Sequence, residues 1–131
     1  MRAVGPFNVK LTPQTSETES DATVLGRLTI DKQFEGDLVA SSKGQMLAAG
    51  TQVKGSAGYV AIEKVTGKLG DREGSFHLLH SATMNRGVPS LSIVVVPDSG
   101  TEGFVGLSGS MQIEIAEGKH SYLFDYEISN S

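Results

Sequence analysis

The stretch GSFHLLHS, residues 74–81, places His77 and His80 three positions apart within an apolar segment. Two imidazoles can bind one metal ion only if both point to the same side of the element that carries them. Successive side chains of a strand point to opposite faces, so a regular strand separates these two residues. The pattern therefore predicts that His80 faces inward with Phe76 and Leu78, whereas His77 faces outward.

Glu63 is the second candidate for chemistry. Its predicted strand carries one charged side chain on each face, Glu63 and Lys64, so alternation leaves the direction of Glu63 open. Consecutive strands are commonly neighbours, and an inward Glu63 would then pair with His80. The alternative, which we favour from the sequence, places Glu63 and Lys64 at a solvent-exposed rim, with His80 bonded to a backbone carbonyl.

Further polar groups lie on faces that are otherwise apolar. His120, Tyr122 and Tyr126 share one face of the last predicted strand, and tyrosine hydroxyls can orient a ligand. Buried tyrosines bonded to the backbone are nevertheless more common. Lys32 falls on the core face of the second strand near its end, where we expect its ammonium group to reach solvent along its methylenes.

No residue pattern demands a cofactor, and none is expected. A metal site made of His80, His120 and Glu63 would need the registers of three strands to agree by chance. Glycine recurs at every third position from 100 to 109, as in a phosphate-binding loop, but this segment leads into a strand rather than the helix such a loop requires. No GxSxG, P-loop or HExxH motif occurs, so enzymatic activity stays an open question.

The elements that must position these side chains are strands. The sequence has sixteen Gly and four Pro, and its apolar residues recur with period two. We expect a polar loop over residues 14–22 and a bulge or bend at Gly44. The short connections favour an all-β fold, an eight-stranded antiparallel up-and-down barrel, which leaves no free edge and encloses either packed side chains or one small ligand. The predicted strands are Phe7–Leu11, Val24–Phe34, Leu38–Ala49, Ala57–Leu69, Ser75–Met84, Leu91–Val96, Phe104–Ile115 and His120–Ile128.

Length and charge restrict the class of protein. A chain of 131 residues fits one domain, residues 1–131. Its 11 Lys and Arg against 15 Asp and Glu give a net charge of -4 without a basic stripe, which argues against nucleic-acid binding. The lack of Cys, the lack of an apolar signal segment and the short longest apolar run, IVVV, predict a soluble cytoplasmic protein with no membrane partner.

One predicted strand is apolar on both faces. In LSIVVV, Val94 and Val96 point away from Ile93 and Val95, so an apolar surface faces outward. Such a surface is usually covered by another chain segment or another subunit. This feature predicts a homo-oligomer.

Several stretches together resemble a bacterial family of small proteins of unknown function. They are YVAIE, GSF-L-HS, VVPDSGT, G-G-M-I and GKHSY-F-Y, in this order, and the resemblance covers nearly the whole chain from Phe7 onward. It implies a barrel similar to that of plant allene oxide cyclase, a type that dirigent proteins share. None of the functional residues of the plant cyclase is carried over to a position of this sequence. The positions inside the motifs are Tyr59, Glu63, His80, Ser81, Asp98, Ser99, Thr101, His120 and Tyr122.

Three functions fit these residues and this barrel. The barrel binds one small hydrophobic or amphipathic molecule, or it is an isomerase or cyclase in which a carboxylate or imidazole moves a proton, or it is a solidly packed structural or regulatory oligomer. The free volume inside the barrel discriminates between the first two functions and the third. The candidate binding residues are Tyr59, Glu63, His80, His120, Tyr122 and Tyr126.

Overall fold

The protein is a closed antiparallel barrel in which eight strands follow one another in sequence order. The structure is a computed structural model that describes residues 1–14 and 25–129. The predicted fold class is thus confirmed, since each strand pairs with the next in sequence and the first pairs with the last, although the sixth and seventh strands pair only at Val94 and Ser110. The strands are β1 Arg2–Pro13, β2 Leu25–Phe34, β3 Leu38–Gly50, β4 Ala57–Leu69, β5 Arg72–Asn85, β6 Val88–Val95, β7 Leu107–Ala116 and β8 Lys119–Ile128.

The predicted strand bounds lie within three residues of the observed ones except in β1, which begins at Arg2 rather than Phe7. Phe104 belongs to a short 3₁₀ turn, Glu102–Phe104, and β7 begins only at Leu107. The bulge expected at Gly44 is wrong, because β3 pairs without interruption with both neighbours and Gly44 lies opposite Ile30 and Glu63. Most of the predicted polar loop over residues 14–22 lies outside the described residues.

The two ends of the barrel differ. We call one the closed end, where Met1 and Ser129 lie and where the turns at 35–37 and 70–71 and the connection 96–106 cross. The other is the open end, formed by the connections 51–56, 86–87 and 117–118. Because the strands are tilted, inward side chains at the same level along the barrel axis come from different register positions on neighbouring strands.

Aromatic side chains fill the half next to the closed end. Phe76 stacks on Phe124 with ring centroids 5.8 Å apart and meets Phe104 edge-on at 5.2 Å. Phe104 is brought there by the glycine-rich connection, in which a Cβ on Gly100 would lie 1.8 Å from the carbonyl oxygen of Phe104. The glycine at position 100 therefore allows close packing across the closed end.

Tyr122 fastens the same end from the inside. Its hydroxyl donates to the carbonyl of Glu35 at 2.6 Å and accepts from the backbone N–H of Leu38 at 2.8 Å. These bonds hold the β2–β3 turn against the barrel, so Tyr122 has the structural role that is common for buried tyrosines.

Candidate functional site

A belt of four buried polar residues crosses the interior above this aromatic core. Lys32, Ser42, Glu63 and His80, here called the polar belt, lie on β2, β3, β4 and β5 respectively. Glu63 is fully buried and Lys32 is only 5% exposed. The expectation that Lys32 reaches solvent is therefore wrong.

Glu63 is the hub of the polar belt. Its Oε2 accepts a hydrogen bond from Lys32 Nζ at 2.8 Å and lies 2.5 Å from His80 Nε2, while Oε1 accepts from Ser42 Oγ at 2.7 Å. A carboxylate only accepts, so His80 Nε2 carries the hydrogen of their bond. The rim interpretation of Glu63 is wrong, and the alternative Glu63–His80 pair is present.

The missing side chain of Gly44 makes this arrangement possible. A Cβ there would lie 2.2 Å from the carbonyl oxygen of Ile62 and 2.8 Å from the Cβ of Glu63. Without it, the Glu63 side chain can cross β3 and reach Lys32 on β2. Gly44 thus serves close approach rather than a bulge.

Glu63 is held in its ionised form. Burial by itself raises the pKa of a carboxyl group, but hydrogen bonds from His80 and Lys32 and the positive charge of Lys32 outweigh it and lower the pKa of Glu63 to about 2. No buried side-chain nitrogen or oxygen among the described residues lacks a hydrogen-bond partner. The charges and hydrogen-bonding groups of the polar belt therefore have partners within the protein.

Aromatic rings explain why Lys32 stays inside. Its Nζ lies over the rings of Phe7 and Phe34, 5.3 and 5.8 Å from their centroids. Cation–π attraction and the Glu63 carboxylate together replace the hydration that the ammonium loses.

Above the polar belt the barrel opens into an apolar chamber of about 560 Å³. Ala48, Tyr59 and Ala82 lie next to one another in register on β3, β4 and β5, and small inward residues there leave the space that phenylalanines fill below. At the lip, Ile115 is 65% exposed although alternation points it inward. The chamber lining consists of Ala48, Ala49, Gly50, Ala57, Gly58, Tyr59, Ala82, Thr83, Met84, Pro89, Ser90, Leu91 and Ile115.

Tyr59 connects the chamber to the polar belt. Its ring lies 6.5 Å from that of His80, centroid to centroid, and its side chain lines the chamber wall. Burial, and secondly the negative charge of Glu63, raise the pKa of Tyr59 above its usual value. The phenol therefore stays protonated at neutral pH and can donate a hydrogen bond.

The remaining predicted residues lie elsewhere. Tyr122 and Tyr126 are at the closed end, and Tyr126 stacks on Phe124 at 5.3 Å. His120 packs against Phe7 at 5.3 Å and is not part of the chamber lining. Of the six candidate binding residues, only Tyr59, Glu63 and His80 come together.

His77 has the outward position that alternation predicts. Its backbone N–H donates to Ser99 Oγ at 3.0 Å, and the N–H of Ser75 donates to Thr101 Oγ1 at 3.0 Å. The motif residues Ser99 and Thr101 thus fasten the 96–106 connection to β5, while Asp98 adopts a positive φ of 62° in the turn.

Two other features are absent from the part of the chain that the structure describes. Residues 1–14 and 25–129 contain no group of three or more His, Cys, Asp or Glu that could hold a metal ion. Within the same ranges, no helix has the length and apolar character needed to cross a membrane.

The sequence patterns did not predict Ser42 or the chamber itself. The signal was present in AAG, residues 48–50, and SAG, residues 56–58, where small residues take the inward positions of β3 and β4 near the open end. A run of small side chains at matching heights of neighbouring strands indicates space inside a barrel.

The fold and site define a small closed β-barrel with one packed half and one hollow half. A family model described as "Protein of unknown function (DUF3224)" matches residues 3–126, and the chain belongs to this family. It is similar to the crystal structure of a DUF3224 protein with unknown function from Shewanella oneidensis MR-1, with 47% sequence identity, 98% of each chain covered and a TM-score of 0.93. No functionally curated protein matches the sequence. The predicted relationship to a bacterial family of unknown function is confirmed.

Proposed function

We propose that the protein binds one small, predominantly apolar molecule in the chamber at the open end of the barrel. The carrying observation is a hollow of about 560 Å³ bounded mainly by apolar side chains. This volume lies within the usual range for ligand sites, and such sites combine apolar walls with a few polar groups. Tyr59 is the polar group whose position faces the ligand.

The properties of the polar belt favour ligand binding over acid–base catalysis as the function of the chamber. A general base needs a pKa near the operating pH and access to the substrate proton. Glu63 has a pKa of about 2, is fully buried and uses both oxygens in bonds to Lys32, Ser42 and His80. Its role in the proposal is to stabilise the floor of the chamber.

Filling the chamber tests the proposal. Ala82→Trp places an indole inside it, and Ser81→Trp is the matched control because Ser81 is the exposed, outward neighbour on the same strand. We expect the neutral fluorescent probe N-phenyl-1-naphthylamine to bind the wild type and the control equally. The Ala82→Trp variant should bind it roughly tenfold more weakly, a loss of about 1.4 kcal/mol.

Two results would overturn the proposal. One is a wild-type protein that does not bind the probe and carries no apolar molecule through native mass spectrometry. The other is equal loss of binding in Ala82→Trp and Ser81→Trp, which would place the probe on the outer surface.

A second observation supports association between copies of the chain. Five exposed apolar side chains lie together on the outer faces of β3 to β6, and the basic residues Arg27, Lys43 and Lys64 border them. The outer faces of β7 and β8 carry the opposite charge through Glu114 and Glu127, beside Lys119 and an Asp125 that is paired with Arg2 at 3.0 Å. We propose that the outer patch, formed by Leu47, Val60, Ile62, Leu79 and Val94, packs against a second copy.

A further inference from the structure

We infer that the chamber selects neutral ligands with a single hydrogen-bond acceptor, such as a ketone, aldehyde or ester, which the Tyr59 hydroxyl binds. This inference rests on the proposed function and names its ligand class. It also predicts discrimination against carboxylates of the same size and shape.

The chamber offers no partner for a charge. None of the described residues that line it is charged. The ionised groups beneath the chamber, Lys32 and Glu63, are buried and bonded to each other at 2.8 Å. An ionised ligand would therefore lose its hydration without gaining a counter-ion, which is strongly unfavourable.

Glu63 adds a direct repulsion against anions. Its carboxylate is near enough to Tyr59 to raise the pKa of the phenol, after the larger effect of burial. The same negative charge opposes an anionic oxygen placed against the Tyr59 hydroxyl. A neutral carbonyl oxygen avoids this repulsion and still accepts the bond.

Tyr59 supplies the donor. No hydrogen bond from its hydroxyl to another described residue is present, although its ring is half-buried. The lining contains two more hydroxyls, on Thr83 and Ser90, but both residues are exposed and alternation places them on the outward faces of β5 and β6. One inward donor in an apolar chamber matches one acceptor on the ligand.

Three naphthalenes of nearly equal size test this selectivity. They are 2-acetylnaphthalene, which is neutral and carries a carbonyl acceptor, 2-naphthoate, which is an anion, and 2-isopropenylnaphthalene, which has no acceptor of comparable strength. Affinities are measured by displacement of N-phenyl-1-naphthylamine at pH 7. We expect the ketone to bind roughly tenfold or more tightly than the naphthoate, since an unpaired charge is costly to bury.

Tyr59→Phe separates the hydrogen bond from shape. The substitution should weaken binding of the ketone roughly fivefold to tenfold, which corresponds to one net hydrogen bond. The affinity for the hydrocarbon should stay within about twofold of the wild-type value. Ser92→Ala is the control and should change neither affinity, because Ser92 is exposed on the outward face of β6 and is not part of the chamber lining.

The outcomes separate this inference from the proposed function. Naphthoate binding as tightly as the ketone, or equal weakening of ketone and hydrocarbon by Tyr59→Phe, overturns the selectivity while the binding function stands. Failure of all three compounds and of the probe to bind overturns both.

Discussion

At the scale of single residues, the buried carboxylate of Glu63 is the centre of a hydrogen-bonded charge network. Its carboxylate meets Lys32, Ser42 and His80 within 2.8 Å, on three neighbouring strands. Each of these partners is itself buried, so none can be replaced by water. Removing the hub is therefore expected to destabilise the fold more than removing any exposed charge.

Glu63→Gln should lower the free energy of unfolding by about 3 to 5 kcal/mol, because Lys32 would keep a buried charge without its counter-ion. Urea denaturation measures the change. The matched control is Glu73→Gln, since Glu73 lies 4.0 Å from Lys68 and both side chains are mostly exposed. The control should stay within about 0.5 kcal/mol of the wild type, and equal effects of the two substitutions would contradict the hub role.

Acid should remove the contribution of Glu63 to stability. The pKa of its carboxyl is about 2 in the folded protein against an ordinary 4.5, so folding is favoured by the ionised form. The contribution, about 3 kcal/mol, is fully present above pH 4.5 and declines as the pH falls towards 2.

Unfolding free energies measured between pH 7 and pH 2.5 should therefore converge for wild type and Glu63→Gln as the pH falls. Other carboxyl groups affect both proteins alike and cancel in the difference. A difference that stays constant over this range would show that Glu63 does not titrate as described.

At the scale of elements, the lack of a side chain at Gly44 on β3 determines where the Glu63 side chain of β4 can lie. Gly44 lets Glu63 cross to β2, and small inward residues nearer the open end leave the chamber empty. Towards the closed end, the buried rings of Phe76 and Phe124 on β5 and β8 stack across the interior of the same barrel. Side-chain size along the inward face thus divides one continuous barrel into two halves.

Gly44→Ala should destabilise the protein by about 3 kcal/mol or more, because the new Cβ would overlap the backbone of β4 at Ile62 and Glu63. Gly50→Ala is the control on the same strand, where a Cβ meets no atom within 4 Å. Urea denaturation of both variants measures the difference. A Gly44→Ala protein as stable as the control would mean that Glu63 does not need this gap.

At the scale of the whole molecule, two groups of exposed apolar side chains bear on function, besides exposed apolar residues elsewhere such as Val39 and Val105. One is the lip of the chamber and the other is the outer patch, which lies across β3 to β6 on the outside. A groove of about 650 Å³ runs along the outer patch, but lysine and arginine side chains border it, and it has no access to Tyr59. These differences support the proposals that the chamber binds a ligand and that the outer patch mediates association.

Ile62→Lys should shift the protein towards the monomer, because it places a charge at the centre of the outer patch. Val105→Lys is the control, since Val105 is equally exposed but lies between the 3₁₀ turn and β7. Static light scattering at micromolar concentration reports the mass. A monomeric wild-type protein under these conditions, or the same mass for both variants, would contradict association through the outer patch.

Much of the fold follows from local pattern. Period-two alternation and glycine turns predicted the eight strands, and the bounds of β4 agree at both ends with the predicted Ala57–Leu69. Alternation also placed His80 inside and His77 outside. It could not decide between the two faces of β4, because Glu63 and Lys64 present one charge to each face.

The strands, the closed barrel class and the family follow from local sequence, because these depend on the order of residue types along the chain. Three features required the folded structure: Lys32 stays buried, Glu63 reaches it past Gly44, and the interior is packed at one end and hollow at the other. These features depend on the tilt and register of neighbouring strands, which bring residues distant in sequence to one height inside the barrel. Burial of a charge is favourable only where a counter-ion and hydrogen-bonding groups surround it. Local sequence does not specify which residues become neighbours inside the barrel.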